Sequence, residues 1–206
     1  MKEYSPIQFQ HLGRCEYVET MNRMRSWTDE RDSNTVDQVW LLEHFPVYTQ
    51  GVSCDARPMD ESQGIPVIKS DRGGQITYHA PGQLIAYFLF DLKRRKLGVR
   101  KLVAMIEQAT IVMLAEFGLT AKTKEGAPGV YIAGEKIAAL GLRVRSGCSY
   151  HGLSINVDLD LDPFSNIHPC GYQGLNVTSL RDHGISLTVA DVAERLKTVI
   201  AHLAER

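Results

Sequence analysis

Residues 129–157 read GVYIAGEKIAALGLRVRSGCSYHGLSINV. Three short apolar runs, Gly129–Ile132, Lys136–Val144 and Ser149–Val157, follow one another with glycine-containing breaks between them. The spacing predicts three strands in hairpin-like succession. Four further strands are expected upstream, at Val39–His44, Ile65–Ser70, Gln75–His79 and Leu84–Leu92, again punctuated by Pro and Gly. The unbroken run Ile85-Ala86-Tyr87-Phe88-Leu89-Phe90 suits a buried strand. Helical periodicity is confined to three places. Residues 14–30 carry a loose stripe of Cys15, Tyr17, Val18, Met21 and Met24. Residues 100–117 form an amphipathic helix with Leu102, Val103, Ile106, Ala109, Met113 and Phe117 on one face and Gly118 placed to end it. A last helix starts near Thr188 as N-cap and turns Val189, Val192, Leu196, Val199 and Leu203 to the core. Strands in succession with helices set apart predict an α+β domain, a mixed or antiparallel sheet covered by helices.

A chain of 206 residues fits a single domain, 1–206, large enough to bury a core without staples. The net charge of -1 argues against general nucleic-acid binding, which needs a basic excess to displace counterions. No apolar stretch is long enough for a membrane span, and the start Met1-Lys2-Glu3-Tyr4-Ser5-Pro6 lacks the apolar region of an export signal. Cys15, Cys54, Cys148 and Cys170 form no CxxC pair and no zinc-type grouping with histidine, so thiols in a reducing cytoplasm are expected.

Chemistry concentrates in four segments. Cys170 lies in Ile167-His168-Pro169-Cys170-Gly171, where Pro169 removes a donor and Gly171 permits a positive φ. A thiol on such a turn can reach a substrate; the plainer reading is a small buried hydrophobe. Arg72-Gly73-Gly74-Gln75-Ile76-Thr77-Tyr78-His79 pairs two glycines, which let backbone approach a ligand, with polar side chains around them; alternatively it is a tight turn feeding a strand. In Gly134-Glu135-Lys136-Ile137-Ala138-Ala139-Leu140-Gly141 the lysine opens a small, apolar strand. Lys136 is then either a solvated surface charge or a buried base of adjustable pKa. In His151-Gly152-Leu153-Ser154-Ile155-Asn156-Val157, Gly152 and Ser154 either leave room for an acyl chain or simply let two backbones pack.

Taken together and in order, RGGQITYHAPGQL (72–84), APGVYIAGEKIAALGLRVR (127–145) and HGLSINVDLDLDPFSNIHPCG (151–171) resemble the lipoyl(octanoyl) transferase family. With DLKRRKLGVRKLV (91–103) the resemblance covers most of residues 70–180, the family-like core starting near residue 31. It implies the biotin/lipoate protein ligase fold. It also implies transfer of an octanoyl or lipoyl group from acyl carrier protein to a lysine of lipoyl domains, those of 2-oxoacid dehydrogenase complexes and the glycine cleavage H protein, in the cytoplasm. Cys170 would be the acyl-accepting nucleophile and Lys136 the residue that lowers its pKa. Substrate contacts would come from Arg72, Gly73, Gly74, Gln75, Ile76, Thr77, Tyr78 and His79, from Ala139, Leu140 and Gly141, and from Gly152, Leu153 and Ser154. No metal or cofactor is called for. The family's YHGPGQ segment carries Ala80 here, a methyl that would narrow the neighbouring pocket.

Two other readings remain at this stage: an ATP-dependent lipoate or biotin ligase on the same fold, and a non-catalytic acyl-binding protein. Three consequences are expected. Lys93, Arg94, Arg95 and Lys96, with Arg100 and Lys101, would form a docking patch for the acidic carrier. Gly152→Val would exclude the acyl chain from a folded protein. Cys170 and Lys136, distant in sequence, would meet in space.

Overall fold

Alternation of apolar with small or polar residues over 129–157 produces the expected antiparallel ladder, which forms one side of a large sheet. The computed structural model describes residues 6–54, 64–167 and 176–204. In chain order they form β1 (Ile7–Cys15), α1 (Tyr17–Glu30), β2 (Asp37–His44), β3 (Val47–Gln50), β4 (Val67–Lys69), β5 (Ile76–His79), β6 (Gln83–Leu89), α2 (Val99–Glu116), β7 (Lys122–Thr123), β8 (Gly129–Ile132), β9 (Glu135–Arg145), β10 (Cys148–Asn156) and α3 (Val189–Ala204). Short 3-10 turns occupy Asp162–Asn166 and Arg181–His183.

Seven strands make the main sheet, in the order β1-β2-β6-β10-β9-β8-β7. The β1–β2 pair is parallel and the others antiparallel, so the expected mixed α+β architecture is what forms. A second sheet, β4-β3-β5, lies apart from it. One face of the main sheet carries Val39, Leu41, Leu84, Ala86, Phe88, Leu153 and Ile155 and buries them against Leu102, Ile106 and Met113 of α2 and Val192 and Leu196 of α3. The other face carries Trp40, Leu42, Ile85, Leu89 and Tyr150, covered by Tyr17, Met21 and Met24 of α1. β6 is buried along its whole length, as its unbroken apolar run requires.

Local chemistry sets the element ends. Thr188 and Asp191 form a reciprocal cap on α3: the Thr188 backbone N–H donates to Asp191 Oδ2 (3.0 Å), and the Asp191 N–H donates to Thr188 Oγ1 (3.2 Å). Gly118, at φ 76°, closes α2, with the Leu119 N–H reaching back to the Leu114 carbonyl (3.1 Å). The β8–β9 and β9–β10 hairpins turn through Ala133-Gly134 (φ 50°, 94°) and Ser146-Gly147 (φ 53°, 88°), the left-handed pairs that match strand twist.

Three sequence expectations need correction. β1 and β3 were not expected: the first is a half-exposed edge strand with only scattered apolar residues, and the second is four residues long. Cys15 therefore ends a strand rather than joining the α1 stripe, and Val18 of that stripe points outward, 42% exposed. The third concerns the basic run. The Asp37 side chain is fully buried and accepts from Arg31 Nη2 (2.6 Å), from Arg94 Nη2 (2.7 Å), from Arg95 Nε, and from the Asp91 backbone N–H (2.8 Å). Arg94 and Arg95 are thus engaged as braces around a buried carboxylate, with 23% of the Arg94 side chain still exposed. Lys93, Lys96, Arg100 and Lys101 are exposed.

Candidate active site

A cavity of about 380 Å³ opens between β9–β10 of the main sheet and the loop that precedes β5. That volume falls in the range of small-molecule sites, roughly 300–1,000 Å³. The Arg72–Gln75 loop covers it, held by backbone bonds on two sides. Gly73 N–H donates to the Leu142 carbonyl of β9 (2.9 Å), while the N–H groups of Gly51, Val52 and Ser53 donate to the carbonyls of Gln75, Arg72 and Gly74 (3.2, 3.0 and 3.1 Å). Glycines facing the loop, Gly51 and Gly141, allow this closeness. A Cβ at Gly141 would come within 2.7 Å of the Gly73 carbonyl oxygen, and Gly74 sits at φ 89°. Arg72, 8% exposed, binds Thr49 Oγ1 through Nε (3.1 Å) and the Gly73 carbonyl through Nη1 (3.0 Å), fixing the loop from beneath.

Lys136 is buried, 5% exposed, which decides between its two sequence readings in favour of the interior. Its stem passes Gly129, where φ is +141° and any Cβ would crowd Lys136 Cε at 3.1 Å. Its ammonium donates to the Pro128 carbonyl (3.3 Å) and lies 5.3 Å from the centre of the Tyr131 ring. The Lys136 backbone N–H donates to the Asn176 carbonyl (2.9 Å), and the Thr178 N–H donates to the Lys136 carbonyl (3.1 Å). Cys170 lies outside the described residues. The segment that contains it leaves the described chain at the buried Ile167 and rejoins it at Asn176, directly on the Lys136 main chain.

Of the substrate contacts expected from sequence, the cavity is lined by Arg72, Gly73, Gly74, Gln75, Ile76, Thr77, His79, Ala139, Leu140, Gly141, Gly152, Leu153 and Ser154, together with Lys136. Tyr78 is not in the wall. Its side chain alternates to the far face of β5 and packs against Tyr48 and, edge-on, Phe164. Ala80 is buried in the cluster of Tyr48, Ile76 and Phe164 and is not among the cavity-lining residues. Gly152 lines the cavity, yet a Cβ there would overlap the Ala86 carbonyl oxygen and approach Phe88 Cδ2 at 2.7 Å. Its lack of a side chain lets two strands pack, which is the plainer of the two readings.

Beside the cavity lies a polar layer of which sequence analysis named His79 as a contact but gave no role to His44, Gln83, Tyr17 or Tyr87. His44 Nδ1–H donates to the Cys15 carbonyl (2.9 Å), leaving Nε2 to accept from Tyr87 OH (2.7 Å). His79 Nδ1–H donates to Gln83 Oε1 (2.7 Å), and Gln83 Nε2 donates to Asn156 Oδ1 (2.9 Å). Tyr17 stacks on His79 with ring centres 6.0 Å apart. Burial pushes the His44 pKa down to about 4 and that of His79 well below its usual value, the neighbouring His44 adding to the latter. Both rings are therefore neutral. Tyr17 and Tyr87 reach the site from α1 and β6, where the sequence shows only ordinary core periodicity. His151 and Asn156 stand in the HGLSINV strand, where polar residues alternate with apolar ones, and His79 in the glycine-rich segment 72–79. Burial raises the pKa of the Cys15 and Cys148 thiols, which makes poor nucleophiles of them. Among the described residues no group of three or more His, Cys, Asp or Glu side chains is placed to hold a metal, and no helix is long and apolar enough to cross a membrane.

The profile of the lipoyl protein ligase A/B catalytic domain matches residues 16–201. The chain belongs to this family. Among its relatives, the octanoyltransferase of Azoarcus sp. (strain BH72) is 57% identical over 194 residues, 93% of this chain and 85% of that protein. The octanoyltransferase of Chromobacterium violaceum is 52% identical over 191 residues, 93% and 92% of the two chains. Family membership extends to the fold. A lipoate-protein ligase A bound with ATP superposes with a TM-score of 0.82 at 15% identity, over 96% of this chain and 85% of that one. The biotin protein ligase from Aquifex aeolicus in complex with biotin and ATP does so at 0.64 and 13%, over 96% and 70%. The lipoate/biotin ligase fold implied by the sequence motifs is the fold of this chain.

Proposed function

We propose that this member of the family is an octanoyltransferase that moves an octanoyl group from acyl carrier protein to a lysine of lipoyl domains through a thioester on Cys170. The observation that carries the reading is a buried lysine in the wall of a cavity of about 380 Å³, in a chain more than half identical to named octanoyltransferases. In the proposed cycle the Lys136 ammonium favours the Cys170 thiolate, which attacks the carbonyl carbon of the carrier thioester. A carbon–sulfur bond to Cys170 forms as the bond to the carrier sulfur breaks, and the leaving carrier thiolate takes a proton from the Lys136 ammonium, which becomes the neutral amine. The acceptor lysine amine then attacks the new thioester, its proton passes to the neutral Lys136 amine, and Cys170 departs as thiolate. The re-entry of the chain at Asn176 on the Lys136 backbone supports placing these two residues in one site. Acceptors would be lipoyl domains of 2-oxoacid dehydrogenase complexes and the glycine cleavage H protein, and the compartment the cytoplasm.

The ATP-dependent ligase reading shares the fold at low identity only, whereas the octanoyltransferase relatives cover the chain at high identity. Intact mass after incubation with octanoyl-carrier separates the possibilities. A gain of one octanoyl group without ATP, lost in Cys170→Ala, is expected. Octanoyl transfer that persists in Cys170→Ala overturns the mechanism, and acylation only with ATP supports the ligase. Lys136→Ala is expected to raise the pH at which Cys170 reacts with iodoacetamide and to slow transfer by ~10²–10⁴-fold, the usual worth of a general base.

A further inference from the structure

His151 occupies a backbone position that suits glycine. At φ 59° in the middle of β10 it is left-handed, a conformation that only Gly, and more rarely Asn or Asp, adopts routinely. The conformation turns its ring onto the same face as Tyr150, the two rings stacked 5.0 Å apart. It also breaks the ladder to β6. There Ser149 Oγ stands in, donating to the Phe88 carbonyl (2.8 Å) and accepting from the Phe90 N–H (3.3 Å). A non-glycine residue persists in such a place when its side chain has work that glycine cannot do.

The side chain makes one polar contact. His151 Nε2–H donates to Asp71 Oδ1 (2.8 Å), while Nδ1, buried, has no partner among the described residues. Asp71 Oδ2 in turn accepts from Tyr150 OH (2.6 Å) and from Arg25 Nε of α1 (3.1 Å). Asp71 immediately precedes Arg72, Gly73 and Gly74. Across the ladder, His151 faces Leu142, whose carbonyl receives the Gly73 N–H. The covering loop is therefore held twice at one level of the sheet, by backbone at Leu142 and by side chain at His151.

We propose that His151 is a positioning residue that latches the Arg72–Gly74 loop over the cavity through Asp71. The proposal rests on the reading of this cavity as the octanoyl site. The latch adds no chemistry of its own. It holds the loop against the sheet so that the cavity keeps its shape before substrate arrives, which lowers the ordering cost of binding.

Glycine separates a structural role from a positioning one, because it suits the left-handed backbone and removes the latch. Initial rates of Cys170 acylation by octanoyl-pantetheine would be measured in wild type, His151→Gly, His151→Asn and Asp71→Asn. Thermal melts would accompany them, with iodoacetamide alkylation of Cys170 as a probe too small to need the cavity. His151→Gly loses a buried ring and is expected to melt somewhat lower yet remain folded at the assay temperature, and to alkylate at the wild-type rate, while its KM rises at least fivefold and kcat stays within twofold. Asp71→Asn should show the same split without any change of backbone demand. His151→Asn, which tolerates the conformation and keeps a donor, should recover part of the KM. A wild-type KM in His151→Gly or Asp71→Asn overturns the latch and leaves the octanoyl reading standing. If wild-type protein is not acylated at all, the octanoyl reading falls and the latch with it.

Discussion

A methyl group at position 152 has nowhere to go: its place is taken by the Ala86 carbonyl oxygen and the Phe88 ring. Both belong to the fully buried strand β6, so neither can give way cheaply. Gly152→Ala is expected to lose ~1–3 kcal/mol by overpacking, read as a lowered urea midpoint, and Gly152→Val more. The sequence expectation that valine would block the acyl chain in a folded protein therefore does not hold, and the residue is a poor handle on chain length. Sequence alone could not decide between the two roles, because an open wall and a close strand crossing both ask for glycine. Lys136 was ambiguous for a similar reason: an ammonium at a strand end reads alike whether solvated or enclosed. Its enclosure depends on Gly129 and on residues 176–178, which only the fold brings to it. Cys15 and Cys148, pushed by burial away from the thiolate, are expected to resist iodoacetamide at neutral pH while Cys170 reacts, as peptide mapping would show.

Elements carry their own tests. Ala133 holds φ 50° in the β8–β9 turn, where a Cβ normally costs about 1 kcal/mol or more. Ala133→Gly or Ala133→Asn is expected to raise the melting temperature without altering transfer, since the turn lies outside the cavity wall. The β9–β10 hairpin, helix α2 and the Thr188 cap were legible in sequence because each depends on near neighbours: turn glycines, a 3.6-residue stripe, a Thr–Asp pair. β1 was not, since an edge strand beside a parallel partner shows neither strict alternation nor an apolar run. Nor was the fate of the basic run, because its counter-charge, Asp37, stands at the start of β2, far away in the chain. Reversing Arg94 or Arg95 to Glu is expected to unfold the protein, since removing partners from a buried charge typically costs ~3–5 kcal/mol. Reversing Arg100 and Lys101, exposed in the first turn of α2 where cations oppose the helix dipole, should spare the fold. If the carrier docks there, beside the cavity residues Val99 and Val103, KM for octanoyl-carrier rises while KM for octanoyl-pantetheine does not.

The molecule as a whole keeps three neutral histidines beside its cavity. Burial lowers the pKa of His44 to about 4, that of His79 well below normal, and that of His151 below normal despite the opposing Asp71. The unfolded chain, with histidines near 6.5, binds more protons than the native one below that pH. Stability is therefore complete above pH 6.5 and falls as the pH drops from there toward 4, by up to ~1.4 kcal/mol per pH unit for each histidine. Against its own burial cost, Asp71 is held below the usual carboxylate range by hydrogen bonds from His151, Tyr150 and Arg25, so its protonation extends the loss to lower pH. Urea midpoints that are level from pH 7 to 8 and fall steeply between 6.5 and 5 are the expected result; a flat profile would mean that the histidines are charged in the native state. The strand order has a further consequence, for synthesis. β6 lies between β2, already made, and β10, whose first residue is Cys148, 59 positions after Leu89 (148 − 89). At ~5–20 residues per second a ribosome needs several seconds to supply it. Throughout that interval the most apolar strand of the protein offers one open edge to any other chain nearby. Nascent chains halted before Cys148 are accordingly expected to be held by chaperones, and those halted beyond Asn156 to be released.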